Sequence, residues 1–164
     1  MSRFMRRRLS HIDTSGRLRM VNVSAKRITA REALARGRVF MHRDTLALIR
    51  EDRAPKGNVL AAAHLAGVMA AKRTSEIIPL AHPLPIEAVD LNFTLDTATS
   101  SVGIEVRVKT RARTGVEMEA LTAAAVAALT VYDMLKAVDR GMVMGEFALW
   151  EKRGGRSGVY RRRT

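Results

Sequence analysis

The chain has 164 residues, enough for one compact domain with a real core and too few for two. Its formal net charge is +13, but ten of its 29 basic residues fall in residues 1–10 and 152–164, which hold no acid, so the remainder carries 19 bases against 16 acids, about +3. The absence of cysteine excludes disulfides, thiolate metal sites and a cysteine nucleophile, and a hydrophobic content of 47% excludes wholesale disorder.

Residues 1–10 read as a basic N-terminal tail, expected to be mobile; its arginines are not followed by the apolar region of a signal peptide. Asp13, Ser15 and Gly16 mark a turn, and Leu18 to Val23 then reads as a short strand. Ile28 to Met41 is ambiguous, since its Ala, Arg, Glu and Leu content favours helix while Arg38 to Met41 favours strand. Asp44 is placed to cap a short helix through Arg50, and Pro55 with Gly57 breaks the chain.

From Asn58 to Glu76 the spacing of Val59, Leu60, Ala63, Gly67 and Ala70 predicts a helix with one buried face. The apolar stretch Val59 to Ala71, interrupted by His64, falls short of the roughly 20 residues a membrane helix needs. Pro79, Pro83 and Pro85 end the helix. Val89, Leu91, Phe93 and Leu95 alternate with polar residues, and so do Val102, Ile104, Val106 and Val108, which predicts a hairpin turning between Asp96 and Ser101. An alanine-rich helix follows from Glu117 to Asp139, ended by Gly141; Met142 to Lys152 returns as a strand, and 153–164 is a Gly- and Arg-rich C-terminal tail. The expected fold is α+β, an antiparallel sheet with helices packed on one face, forming a single domain over 11–152. A cytoplasmic location is expected.

Four groups of residues are candidates for chemistry. His82 sits in IIPLAHPLP, whose prolines would hold the imidazole on a rigid loop as a general acid or base; it also reads as a surface histidine in a proline-rich linker. Glu117 and Glu119, in TGVEME, stand at a helix start where the dipole favours carboxylates whether or not they react, and Gly115 would let the backbone approach a ligand. Asp133 and Lys136, at i and i+3, prolong an apolar stripe through Val126, Leu129 and Thr130, so this ion pair is expected to be partly buried; an ordinary surface pair is the alternative. Lys56, in PKGN, and Lys152 are placed to meet phosphate, or are solvated loop lysines. His11, His42, His64 and His82 show no metal-ligand spacing, and no dinucleotide fingerprint is present, so neither metal nor cofactor is expected.

Taken together, LSHID, MVNVS, PKGNVL, AGVMAAKRTSEIIPLAHPLP, KTRARTGVEMEALTAAAVAALTVYDMLKAVDRGM and EKRGGRSGVY, in that order over nearly the whole chain, resemble the molybdenum cofactor biosynthesis protein C family, the cyclic pyranopterin monophosphate synthases. The resemblance implies a ferredoxin-like subunit, assembled as a homohexamer (a trimer of dimers) with active sites between subunits. It implies a lyase of molybdopterin biosynthesis that rearranges a 3′,8-cyclised dihydro-GTP into cyclic pyranopterin monophosphate with release of diphosphate. Carried over by motif, Asp133 is the catalytic aspartate and Lys136 its partner, with Lys56 and His82 also catalytic. Leu80, Ala81, His82, Glu117, Met118, Glu119 and Lys152 contact substrate. Ala81 departs from the cysteine usual there, so a thiol at that position is not needed for the chemistry.

Two other readings compete with the enzyme. A small RNA-binding module would use the arginine-rich tails, but aromatic residues make up only 4% of the chain, and Tyr132, Trp150 and Tyr160 are too scattered for a stacking platform. An inactive scaffold would have been free to lose the ionisable set that this sequence retains. Neither nucleic acid nor membrane is expected as a partner.

Overall fold

The computed structural model describes residues 15–163; the N-terminal tail, His11 and Asp13 lie outside them. In chain order the elements are β1 (Thr29–Phe40), α1 (Arg43–Arg50), α2 (Val59–Lys72), α3 (Thr74–Ile77), β2 (Ile86–Asp96), β3 (Ser101–Ala112), α4 (Glu117–Leu135), β4 (Val143–Arg153) and β5 (Tyr160–Arg161). The strands form one sheet in the order β2-β3-β1-β4-β5, and every neighbouring pair is antiparallel. With helices crossing between β1 and β2 and between β3 and β4, the first four strands make the βαββαβ arrangement of a ferredoxin-like fold.

The hairpin follows from its alternation. Leu91 pairs with Val106 and Phe93 with Ile104, and on β3 Val102, Ile104, Val106 and Val108 are almost wholly buried against the helices. On β1, Ala33, Ala35 and Val39 continue the same inner face. α4 lays Ala120, Ala123, Ala127 and Val131 on it, small side chains that bring the helix close to the sheet. Asn58 caps α2 by accepting from the Ala61 amide, and Gly67 lets α2 press in, since a Cβ there would stand 2.5 Å from a Leu91 methyl and 3.3 Å from the Ala123 carbonyl oxygen. α4 is long and apolar enough to cross a membrane, but half of it is buried here as the central core helix.

Four local expectations change. The ambiguous segment is strand from Thr29, despite its helix-forming residues, because β1 pairs along its length with β3 on one side and with β4 on the other; tertiary pairing outweighs propensity. Leu18 to Val23 forms no strand beyond an isolated bridge at Leu18, and Leu18 and Met20 are exposed. His42, not Asp44, occupies the cap position of α1, and it makes no side-chain cap bond.

Lastly, α4 stops at Leu135, where Lys136 caps it, four residues early. The reason is Asp139, which is needed elsewhere. Its buried carboxylate accepts from the His42 amide (2.9 Å), the Thr45 hydroxyl (3.1 Å) and the Gly141 amide (3.0 Å), pinning the turn after α4 to the start of α1. Burial alone would raise its pKa, but these donors outweigh burial and hold it below the usual carboxylate range.

Candidate active site

β1 begins, and β3 and β4 end, at one end of the sheet, where α4 starts and the proline-rich loop leads into β2. Two clefts open there. The first, about 350 Å³, is lined by Leu80, Ala81, His82, Glu117, Met118 and Glu119, closed on its other side by Val21, Val23 and Lys26. The His82 ring is anchored through Nε2, which donates to the Val21 carbonyl at 2.8 Å; in the neutral ring this leaves Nδ1 as the acceptor. The segment expected to be a strand at Leu18 to Val23 therefore serves as a wall that orients the histidine.

Glu119 is 3% exposed although it lies in the first turn of α4. Burial pushes its carboxyl up to about 7, with the Glu117 charge adding to the effect and its own backbone amide opposing it. Near neutral pH this group is thus poised between donor and acceptor, as a general acid or base needs to be. Gly115 allows the neighbouring carboxylate to fold back, since a Cβ there would collide with the Glu117 carboxylate.

The second cleft, about 740 Å³, shares Lys26, Thr114, Gly115 and Glu117 with the first, so the two adjoin. Lys152 lies in it, its ammonium donating to the Ser157 hydroxyl and, at 3.4 Å, to the Gly154 carbonyl. Its other cations, Lys26, Arg27, Arg31, Arg113 and Arg156, were not singled out from the sequence.

Asp133, Lys136 and Lys56 assemble elsewhere. The Asp133 carboxylate bridges Lys136 (2.8 Å) and Lys56 (3.0 Å), and Lys56 also donates to the Asp133 carbonyl at 2.8 Å. Hydrogen bonds from Lys136 and then Lys56 hold Asp133 below the usual carboxylate range, and Asp133 in turn raises Lys136. The expected partial burial is not found in the single chain: the side chains of Asp133 and Lys136, in the last turn of α4 and at its C-cap, are 55% and 53% exposed. From Glu117 to Asp133 is 16 residues of helix, about 24 Å at 1.5 Å per residue. His82 and all the expected substrate contacts thus gather at one end of α4, and the other three catalytic candidates at the opposite end.

A model of the MoaC family matches residues 20–155. Among curated proteins, the chain is 61% identical over 152 residues to the cyclic pyranopterin monophosphate synthase of Heliobacterium modesticaldum, covering 93% of this chain and 96% of that one. It is 59% identical over 154 residues to the protein of the same name from Thermomicrobium roseum (94% and 93% covered) and 53% identical over 155 residues to that of Parvibaculum lavamentivorans (94% and 97% covered).

Proposed function

The chain belongs to the MoaC family, and we propose that it performs the reaction its relatives are named for, making cyclic pyranopterin monophosphate for molybdenum cofactor biosynthesis in the cytoplasm. The substrate in this reading is (8S)-3′,8-cyclo-7,8-dihydroguanosine 5′-triphosphate and the second product is diphosphate. The observation that carries the reading is the pair of adjoining clefts, in which a buried carboxyl near its titration point and an oriented histidine lie beside a group of cations.

The chemistry divides along the same line. Opening and reclosing a purine-derived ring moves protons; Glu119, its carboxyl raised to about 7, can give and take one near neutral pH, and the oriented ring of His82 lines the same cleft. Closing the cyclic phosphate requires a sugar hydroxyl oxygen to bond to the α-phosphorus while the bond to the β-phosphoryl oxygen breaks. The hydroxyl proton goes to a base and the electron pair leaves with diphosphate, charge that Lys152 and its neighbours offset. Asp133, ionised and flanked by two ammonium groups, is suited to hold Lys136 as a proton donor.

Because the two groups of residues lie about 24 Å apart along α4, one copy does not hold the whole site. The proposal is that each site joins the cleft of one protomer to the Lys56, Asp133 and Lys136 cluster of another, within a homohexamer built as a trimer of dimers. Leu65 and Met69 of α2 and Leu129 of α4 are large apolar side chains exposed in the single chain, which supports coverage of this layer by another copy.

Two experiments test this. Incubation with the cyclised nucleotide should yield diphosphate and the pterin product; protein that binds the nucleotide and releases neither would sink the reading. Mixing Glu119→Gln protein with Asp133→Asn protein, each inactive alone, should restore up to about a quarter of wild-type activity, since random pairing makes half the dimers mixed and each then carries one unmutated site. No recovery on mixing, with subunit exchange verified, would place each site within one chain.

A further inference from the structure

Residues 51–58 join α1 to α2, and three local motifs follow one another along them. α1 closes on a left-handed residue, Asp52, with φ +52°. The Asp52 amide donates to the Ile49 carbonyl (3.2 Å) and the Arg53 amide to the Leu48 carbonyl (2.9 Å), the Schellman pattern of a helix end. A β-turn comes next, in which the Gly57 amide donates to the Ala54 carbonyl at 3.0 Å. Asn58 then caps α2 through the Ala61 amide. Ala54 packs against the hydrophobic core, so the turn is tied to the fold at its first residue.

Lys56 stands at the third position of that turn. Its own φ is negative, which makes the turn type I, with Pro55 at the second position, where the ring presets φ, and Gly57 at the fourth. Gly57 has φ +89°, a conformation that L side chains rarely adopt. A Cβ placed there would meet nothing within 4 Å, so lack of room is not what demands glycine. The demand is conformational alone.

The far end of the lysine is fixed as well. An ammonium group has three N–H donors. One of those on Lys56 meets the Asp133 carboxylate at 3.0 Å, and another meets the Asp133 main-chain carbonyl at 2.8 Å, among the last carbonyls of α4, which lack a partner within the helix. The second bond does not depend on the side chain at 133, so main chain holds the lysine at both ends. Among the described residues nothing claims the third N–H.

We infer that Gly57 is the positioning residue for Lys56: the left-handed step that glycine takes at the end of the turn sets the lysine against the last turn of α4, with one N–H left for an oxygen of the substrate. The inference deepens the proposed function and rests on it for the identity of that substrate, but not for the geometry of the turn. Losing the left-handed step leaves the ammonium in the chain and spoils only its aim. A misplacement of about 1 Å can lower a rate by up to about 100-fold, so kcat should fall while KM stays within about twofold.

The test replaces Gly57 with asparagine, alanine and valine in the full chain. Asparagine takes left-handed backbone most readily of the three and β-branched valine least, an order unlike that of size, in which alanine is smallest. Turnover of the cyclised nucleotide should follow the first order: kcat within about twofold of wild type for Gly57→Asn, about fivefold to tenfold lower for Gly57→Ala and at least about 30-fold lower for Gly57→Val. Gly16→Ala, the same change at another left-handed glycine with open space around it, should leave kcat unchanged. Alanine outperforming asparagine, valine at the wild-type rate, or an equal fall in Gly16→Ala would overturn the assignment. A second readout needs no substrate. Lys136 and then Lys56 hold Asp133 below the usual carboxylate range, so in carbon-13 NMR titrations its pKa should climb toward that range in Gly57→Val, as in Lys56→Ala, and stay low in Gly57→Asn. If these shifts appear in a protein that does not convert the nucleotide, the positioning role stands and the proposed reaction falls. A turning-over enzyme whose carboxylate and kcat both ignore residue 57 keeps the reaction and loses the role.

Discussion

The two ends of α4 are built on opposite principles. At its start, Glu119 is enclosed by the sheet edge, the proline-rich loop and the segment before β1, and its surroundings raise its pKa. At its end, Asp133 stands in solvent between two lysines, which lower its pKa. An enclosed carboxyl acquires its properties from the fold of one chain; an exposed one has only its immediate ion partners and awaits whatever covers it. The difference predicts which substitutions disturb stability and which disturb activity alone.

The largest effect should come from the exposed end. Asp133→Asn is expected to lower kcat by about 100-fold to 10,000-fold, the range typical of an acid/base group, while its midpoint in urea denaturation stays that of wild type. A drop in that midpoint would show the cluster to be structural, and undiminished kcat would remove it from the mechanism. Next comes the enclosed end. Because Glu119 has its pKa raised from 4.5 to about 7, the folded state holds the proton longer than the unfolded chain, so this group erodes stability as pH climbs from about 4.5 to about 7 and the loss is complete above that. The contribution is on the order of 3 kcal/mol. Glu119→Gln should flatten that slope in urea titrations at pH 5, 6, 7 and 8, and parallel curves for the two proteins would refute the assignment.

The smallest of the three sharpens the contrast between two acids near the same helix end. Asp139, unlike Asp133, is buried and has three donors, so Asp139→Asn should cost about 1.5–3 kcal/mol. Its lowered pKa means the stability it brings is present above the ordinary carboxylate range and fades as pH falls through its folded value. A variant as stable as wild type at pH 7 would mean that the link between the α4 turn and α1 is idle.

Legibility in the sequence followed the range of the forces involved. The β2–β3 hairpin and the buried face of α2 were readable because alternation and helical spacing are local and the core simply enforces them. β1 was not, because its alanine, arginine and glutamate residues favour helix until β3 and β4 claim both its edges. The motifs named the residues that line the first cleft, and the helix pattern already set Asp133 near the opposite end of α4 from Glu119; what no local signal gave was the meeting of Lys56 with Asp133, which the loop before α2 brings about. Of the basic cleft only Lys152 was legible: Lys26 and Arg31 lie far in sequence from Arg113 and Arg156 and meet them only because Thr29 pairs with Ala112 and β4 ends beside the start of β1. Proximity created by strand register leaves no trace in composition.

α4 acts, finally, as a ruler. One extra residue in its middle would advance everything beyond it by about 1.5 Å and turn it by roughly 100°, swinging Asp133 away from Lys56 while the cleft at the other end stayed as it was. Between Ala120 and Val131 the helix should therefore accept exchanges among small apolar side chains, while insertions and deletions there should be forbidden, even ones that leave the core well packed.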